Sequence, residues 1–136
     1  MAHRGKLHHL ELYVTDLEVA VRFWGWLLPE LGWRPFQEWD EGCSYRHGDL
    51  YLALVEAPAG GDGIDRRAAG LNHVAFCLDS TAEIDELTAA LKERGVRILY
   101  PERHPFAGGT DHYAVFFEDP DGLKVEVVAS EATAAP

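Results

Sequence analysis

Two histidines and one glutamate stand out because each lies inside a short, otherwise apolar segment. His9 and His73 occupy matching places in two similar segments, and Glu126 interrupts the apolar run 125–128. Two imidazoles and one carboxylate suit borderline divalent ions, so Zn, Ni, Mn, Co and Fe(II) are all candidates. Three protein donors leave positions open for a substrate oxygen, which Lewis-acid chemistry requires. The residue types therefore predict a divalent-metal site.

The residues around these donors alternate between apolar and polar, which is typical of a strand with one buried face. In segment 7–14, parity leaves three side chains on the face away from the core: His9, Glu11 and Tyr13. Segment 71–78 repeats this pattern with His73, and the last strand presents Glu126 on its corresponding face. Parity thus brings the three donors to one surface. Ordinary hydrogen-bonded sheet residues would explain the pattern equally well.

A helix is expected after each histidine-bearing strand. Capping boxes open the helices at Thr15-Asp16-Leu17-Glu18 and at Ser80-Thr81-Ala82-Glu83, and apolar residues then recur at helical spacing. The first helix should end near Pro29 and the second at Gly95. Turn residues separate the other predicted strands, which span 33–39, 43–47, 50–55, 96–100, 112–118 and 123–129.

The element order is therefore βαβββ, a linker over 57–70, and a second βαβββ. This order predicts an α+β fold in which two βαβββ modules, about 7–56 and 71–129, form a curved mixed sheet with a central cleft and helices outside. A single domain over residues 1–136 is expected, since this is an ordinary domain length. The small, polar segment after Ser130 is expected to fray.

Composition argues against several functional classes. The formal net charge of −11, from 23 acidic and 12 basic residues, argues against nucleic-acid binding, which needs a basic surface. No apolar run reaches the length of a membrane span, and the first residues do not resemble a secretory signal. With only two cysteines, Cys43 and Cys77, the simplest expectation is a reduced cytoplasmic protein whose partner is a small molecule.

Further side chains are expected around the donors. Glu11 is a candidate base, fourth ligand or partner of an imidazole N–H, and His112 is a candidate acid or base near neutral pH. The loop 101–111 has the length and glycines of a lid. Trp33 and Trp39 share strand parity and would suit a flat aromatic ligand, unless they serve core or dimer packing. The substrate pocket is expected to involve Tyr13, Trp33, Trp39, Ala53, His104 and Phe116.

Four strings carry a family resemblance: His9-Leu-Glu-Leu-Tyr-Val-Thr-Asp16, Phe23-Trp24 ahead of Leu31-Gly32, Asn72-His73-Val-Ala-Phe and Phe117-Glu-Asp-Pro-Asp-Gly-Leu-Lys-Val-Glu126. They resemble the vicinal oxygen chelate superfamily, which includes glyoxalase I, bleomycin resistance proteins and extradiol dioxygenases. The resemblance covers residues 7–129 and implies paired βαβββ modules, often assembled as a homodimer.

The resemblance also implies metal ligands on the first and fourth strands of each module, and His9, His73 and Glu126 fall on three of these four positions. The fourth position is Ala53, which cannot bind a metal, and the nearby Glu56 has the opposite parity. Glyoxalase I uses four protein ligands. Fosfomycin-resistance transferases and extradiol dioxygenases use two histidines and one glutamate, as here.

Two functions follow from the resemblance. The first is a glyoxalase-like metal-dependent enzyme, of lyase, isomerase or dioxygenase type, that chelates two substrate oxygens and stabilises developing charge. The alternative is a non-catalytic protein of the bleomycin-resistance type that sequesters a drug. The acidic balance and the tryptophans favour sequestration, whereas the intact set of two histidines and one glutamate favours the enzyme.

Overall fold

The computed structural model of the chain describes residues 4–131. The fraying expected after Ser130 concerns residues that lie almost entirely outside this range. The chain divides after Gly63 into two compact units, so the division falls within the predicted linker 57–70. Within residues 4–131, no helix is both long and apolar enough to cross a bilayer.

The first unit contains four strands and one helix. In chain order they are β1 (His9–Val14), α1 (Leu17–Glu30), β2 (Arg34–Trp39), β3 (Gly42–His47) and β4 (Leu50–Glu56). The strands lie in the order β1-β4-β3-β2, with β1 parallel to β4 and the other pairs antiparallel. The helix packs against β4 and buries five of the six apolar residues predicted at helical spacing, all but Leu17: Ala20, Phe23, Trp24, Leu27 and Leu28.

The start of α1 differs from the predicted capping box. The N-cap is Asp16 rather than Thr15, and the Asp16 side chain accepts a hydrogen bond from the Val19 backbone N at 3.1 Å. Aspartate is a stronger N-cap than threonine, so the cap shifts by one residue. The helix ends at Glu30, one residue beyond Pro29, where its end was predicted.

The second unit contains three strands and one helix: β5 (His73–Leu78), α2 (Thr81–Glu93), β6 (Ala114–Glu118) and β7 (Lys124–Ala129). The strands lie in the order β5-β7-β6, with β5 parallel and β6 antiparallel to the central β7. The predicted capping box of α2 is confirmed, since Ser80 and Glu83 hydrogen-bond reciprocally. Gly95 follows the helix with φ +75°, as its predicted role at the helix end requires.

The prediction of a strand over 96–100 is wrong. Within the described residues, Ile98 makes only an isolated bridge to Phe117. The chain leaves the extended conformation at Tyr100, whose φ is 52°, so the ladder cannot continue. The α+β class is nevertheless confirmed, with two mixed sheets of four and three strands and two helices.

Candidate functional site

The second unit places a carboxylate in the middle of its central strand. Val125 and Val127 of β7 are fully buried on one face. Glu126 points to the other face but is only 5% exposed, and the register pairs it with Ala75 of β5 and Phe116 of β6. Burying a carboxylate is costly unless it is hydrogen-bonded or paired with a cation. The groups around its two oxygens therefore decide what this site does.

One oxygen of Glu126 faces His73, the first residue of β5. The Nε2 atom of His73 lies 3.2 Å from Oε1 of Glu126. The Nδ1 atom of the same ring lies 2.8 Å from Oδ1 of Asn72. Because a carbonyl oxygen only accepts, Nδ1 carries the proton of this hydrogen bond. The bond orients the ring and leaves Nε2, which faces the carboxylate, without a proton when the ring is neutral.

The other oxygen of Glu126 contacts a second imidazole. The Nε2 atom of His112 forms a hydrogen bond with Oε2 of Glu126, and His112 donates when the carboxylate is ionised. His112 lies two residues before β6, because the strand predicted over 112–118 begins only at Ala114. The loop approaches its ring closely at Gly108, where an added Cβ would lie 2.5 Å from Cδ2 of His112. Glycine thus lets the loop pack against this ring.

The first unit carries the corresponding histidine at an exposed strand end. His9 begins β1 and stacks on Tyr51 of β4, with ring centroids 4.7 Å apart and planes 5° apart. Its Nδ1 atom lies 2.9 Å from Nδ1 of His8, so one of these two nitrogens donates to the other. His9, Glu11 and Tyr13 are exposed and alternate with less exposed residues, which agrees with the predicted parity.

The strand registers define which residue of the first unit corresponds to Glu126. Glu11 of β1 pairs with Ala53 of β4, just as Ala75 of β5 pairs with Glu126 of β7. Ala53 therefore occupies the position predicted for it, is 3% exposed and offers no metal donor. Glu56 has a different role, because its Oε1 accepts a hydrogen bond from the first backbone N–H of α1 at 3.1 Å.

The predicted aromatic pocket residues differ in their surroundings. Trp33 precedes β2, is only 8% exposed, and donates its backbone N–H to the Leu28 oxygen at 2.9 Å in the turn that ends α1. This turn explains why Trp33 is not part of the predicted strand 33–39. Trp39 is 40% exposed and lines a cavity of about 370 Å³ within the first unit. Leu17 and Val21 of α1 contribute to its wall, and its volume is typical of small-molecule sites.

The polar wall of this cavity comes from β2 and β3. Glu38 and Cys43 are paired across the two strands, and Tyr45 lies two residues further along β3. Burial raises the pKa of the Cys43 thiol and of the Tyr45 phenol, so both groups are neutral at pH 7. Glu38 therefore supplies the negative charge of a cavity that Trp39 also lines, a combination that suits an organic cation.

The remaining predicted residues lie on or near the loop before β6. His104 is partly buried, and burial together with the charge of Lys92 lowers its pKa against the opposing effect of Asp85. Its electrostatic neighbours therefore belong to α2. Phe116 is 7% exposed, and its ring lies 6.4 Å from that of His73. The second unit thus brings Phe116 and His73 together.

Within residues 4–131, no group of three or more His, Cys, Asp and Glu side chains is arranged to hold a metal ion. In the trio of His73, His112 and Glu126, the carboxylate stands between two rings and uses one oxygen for each. Only His73 Nε2 and Glu126 Oε1 face each other as a pair of potential donors. Asn72, which orients His73, had no predicted role, because a polar residue before a ligand is a weak signal.

Sequence comparisons relate the chain to known proteins. The family model described as Glyoxalase/Bleomycin resistance protein/Dioxygenase superfamily matches residues 6–127. The uncharacterised protein YqjT of Bacillus subtilis (strain 168) is 50% identical over 125 residues, which are 90% of this chain and 98% of YqjT. Glutathione transferase FosA of Serratia marcescens is 30% identical over 121 residues, which are 89% of this chain and 78% of FosA.

Solved structures share the fold. A crystal structure from Bacillus halodurans, assigned to the glyoxalases, has a TM-score of 0.91 and 51% identity and covers 94% of this chain and 98% of that chain. FosX of Listeria monocytogenes, a fosfomycin resistance protein solved with Mn(II), has a TM-score of 0.68 and 22% identity and covers 97% of this chain and 99% of that chain. The likeness to FosX concerns the fold alone.

Proposed function

Because this chain belongs to the Glyoxalase/Bleomycin resistance protein/Dioxygenase superfamily, as its sequence resemblance predicted, we propose that it is a divalent-metal-dependent enzyme. Its substrate would be a small molecule that offers two neighbouring oxygen atoms. The observation that carries the proposal is the buried carboxylate of Glu126, whose oxygens face the imidazoles of His73 and His112.

The contact between His73 and Glu126 favours a positive charge between the two side chains. The proton on Nδ1 of His73 is used by Asn72, so in the neutral ring Nε2 presents a lone pair to Oε1 at 3.2 Å. A lone pair and a carboxylate oxygen repel each other at this distance unless a proton or a metal ion lies between them. The pair is therefore a preformed site for positive charge.

The donor chemistry fits a divalent metal ion. Imidazole and carboxylate donors bind Zn²⁺ at about 2.0–2.2 Å, which places two neighbouring donors about 2.8–3.6 Å apart at angles between octahedral and tetrahedral. The 3.2 Å between Nε2 of His73 and Oε1 of Glu126 lies within this interval. Zn, Ni, Mn, Co and Fe(II) are the proposed ions, and His9 stays the third donor that the sequence predicts. The crystallised FosX contains Mn(II).

Such an ion would polarise the chelated substrate oxygens as a Lewis acid. The other proposed roles belong to side chains of the protein. His112 fixes the orientation of the Glu126 carboxylate through Oε2 and holds a proton at Nε2, which makes it the proposed acid or base in the second unit. Glu11, exposed on β1, is the proposed alternative base.

A second candidate function is sequestration of a cationic aromatic compound without chemistry. The cavity in the first unit favours it, since Glu38 and Trp39 line a volume of about 370 Å³. The two functions differ in their dependence on metal. Ligand binding that survives removal of metal by a chelator would favour sequestration.

Metal binding by Glu126 tests the leading proposal. Isothermal titration of metal-free protein with Zn²⁺ and Mn²⁺ should show a site whose affinity falls at least about 100-fold in Glu126→Gln, because loss of a ligand exceeds the 10–100-fold typical of outer-shell partners. Glu56→Gln is the matched control and should keep the wild-type affinity, since Glu56 caps α1. Circular dichroism verifies that both variants fold. Unchanged affinity in folded Glu126→Gln would refute the assignment.

A further inference from the structure

Lys124 is a partly buried cation whose side-chain contacts within residues 4–131 are with aromatic residues. Its Nζ donates a hydrogen bond to the Tyr100 hydroxyl at 3.2 Å. The same Nζ lies 5.4 Å from the Tyr100 ring centroid and 5.7 Å from the Phe116 ring centroid. These contacts favour a cation but do not neutralise it. Among residues 4–131, no carboxylate forms an ion pair with Lys124.

The carboxylate best placed to pair with Lys124 is already occupied. Glu118 of β6 is the cross-strand partner of Lys124 in the antiparallel register. Its Oε2 instead pairs with Arg66 at 2.7 Å, and its Oε1 pairs with Arg97 at 3.1 Å. Two arginines on one carboxylate leave the ammonium of Lys124 available for a different anion.

Lys124 stands directly beside the proposed metal donors. In the parallel register it pairs with His73, and it precedes Glu126 by two residues on the same face of β7. Two residues of strand span about 7 Å. Phe116, which contacts both the His73 ring and Nζ of Lys124, links the two positions.

The surroundings of Tyr100 point to the same place. Among the described residues other than glycine, Tyr100 alone has a positive φ, 52°, a conformation that is costly and is often found at functional sites. Its ring also receives the guanidinium of Arg103, whose Cζ lies 4.9 Å from the centroid. Two cations therefore meet at one phenol in a chain whose net charge is −11.

We infer that Lys124, positioned by Tyr100 and Phe116, binds an anionic oxygen group of the substrate, such as a carboxylate, next to the chelated oxygens. This inference rests on the proposed function, because it extends the same site. The inference narrows the proposed substrate class to small molecules that carry an anionic group in addition to two chelating oxygens. Electrostatic attraction to a partly desolvated ammonium supplies the selectivity.

The test uses two probes that differ by one carboxylate. Catechol offers two vicinal oxygens, and 3,4-dihydroxybenzoate adds a carboxylate across the ring. Tryptophan fluorescence of Zn²⁺-loaded wild type should report about tenfold tighter binding of 3,4-dihydroxybenzoate, the order expected of one charge-assisted hydrogen bond. Lys124→Met should abolish this preference, and Lys124→Arg should retain it. Equal weakening of both probes in Lys124→Met would indicate a structural role and overturn the inference.

A direct readout comes from the lysines themselves. The chain has three lysines, Lys6, Lys92 and Lys124, and reductive ¹³C-methylation labels each while keeping its charge. Saturating 3,4-dihydroxybenzoate should shift the Lys124 signal, identified by its absence from Lys124→Arg, and leave the other two unmoved. A bound probe with an unmoved Lys124 signal overturns the inference.

Failure of the proposed function gives a different pattern. If neither probe binds the Zn²⁺-loaded protein, chelation of substrate oxygens is wrong. Titrating the metal-free, methylated protein with benzoate then decides the role of Lys124 alone. A saturable shift of its signal supports anion binding, and no shift up to high concentration rejects it.

Discussion

The two halves of the chain share one strand register but carry their carboxylates on different strands. In the first half, Glu11 on the edge strand β1 faces Ala53 on β4; in the second, Ala75 on the edge strand β5 faces Glu126 on the central β7. The edge position leaves Glu11 exposed, whereas the central position buries Glu126. Burial makes a carboxylate dependent on hydrogen bonds or a nearby cation, and Glu126 meets this need through His73 and His112.

The two histidines also differ in what fixes them. His73 is held by Asn72, a neutral partner whose oxygen only accepts, so the protonated nitrogen is determined. His9 is held by His8, another titratable ring, and by stacking on Tyr51. Asn72 offers His73 only an acceptor, whereas in the pair of His8 and His9 either ring can be the donor. The tautomer of His73 is therefore the better defined of the two.

Replacing Ala53 or Ala75 with glutamate is the strongest test of the difference in burial between the two halves. Ala53→Glu would bury a second carboxylate opposite Glu11 in a position now 3% exposed. We expect the free energy of unfolding to fall by about 3 kcal/mol, from overpacking and an unpaired buried charge. Ala75→Glu is the matched variant on an exposed strand position and should cost about 1 kcal/mol through like-charge repulsion with Glu126. Urea unfolding of metal-free protein measures both. Equal costs would contradict the difference in burial.

Removing the partner of each histidine sharpens the comparison. Asn72→Ala frees the His73 ring and should weaken Zn²⁺ binding by about tenfold, the lower end of the range for outer-shell partners. His8→Ala leaves His9 stacked on Tyr51 and should weaken binding less. Competition with a chromophoric zinc chelator gives both affinities. A larger loss in His8→Ala would reverse the proposed ranking of the two halves.

Strand parity predicted much of the fold and part of the candidate site, because a strand places alternate side chains on opposite faces whatever surrounds it. It placed His9, Glu11 and Tyr13 on the exposed side, while the family resemblance matched Ala53 with Glu126. Side-chain alternation carries no information about backbone dihedral angles. It therefore did not predict the positive φ of Tyr100, and it wrongly predicted a strand over 96–100.

Other features of the candidate site could not be predicted, because they depend on which side chains the fold brings together. The hydrogen bond from His73 to Asn72 joins adjacent residues, yet it depends on both rotamers and leaves no periodic signal. The predicted cofactor, the homodimer and the roles of Glu11 and His112 stay predictions, since each concerns a partner beyond the side chains described. The contact of His112 with Glu126 is the feature that now gives His112 a defined place.

The third difference between the halves is the long loop before β6, and its expected effect on stability is the smallest. Burial and Lys92 hold the pKa of His104 below its ordinary value of 6.5, while the unfolded chain keeps that value. As the pH falls through 6.5, His104 therefore takes up a proton in the unfolded chain but not yet in the folded chain. The free energy of unfolding falls with the pH until the pH passes the pKa of folded His104. His104→Gln should remove this loss, which amounts to less than about 1 kcal/mol because solvent screens the partly exposed ring.

Urea unfolding at pH 7.5, 6.5 and 5.5 measures the change in the free energy of unfolding. His47→Gln, which replaces an exposed histidine of the first half, is the control and is expected to follow wild type. A steeper loss of stability in His104→Gln than in wild type would mean that folding raises this pKa, and that Asp85 outweighs burial and Lys92.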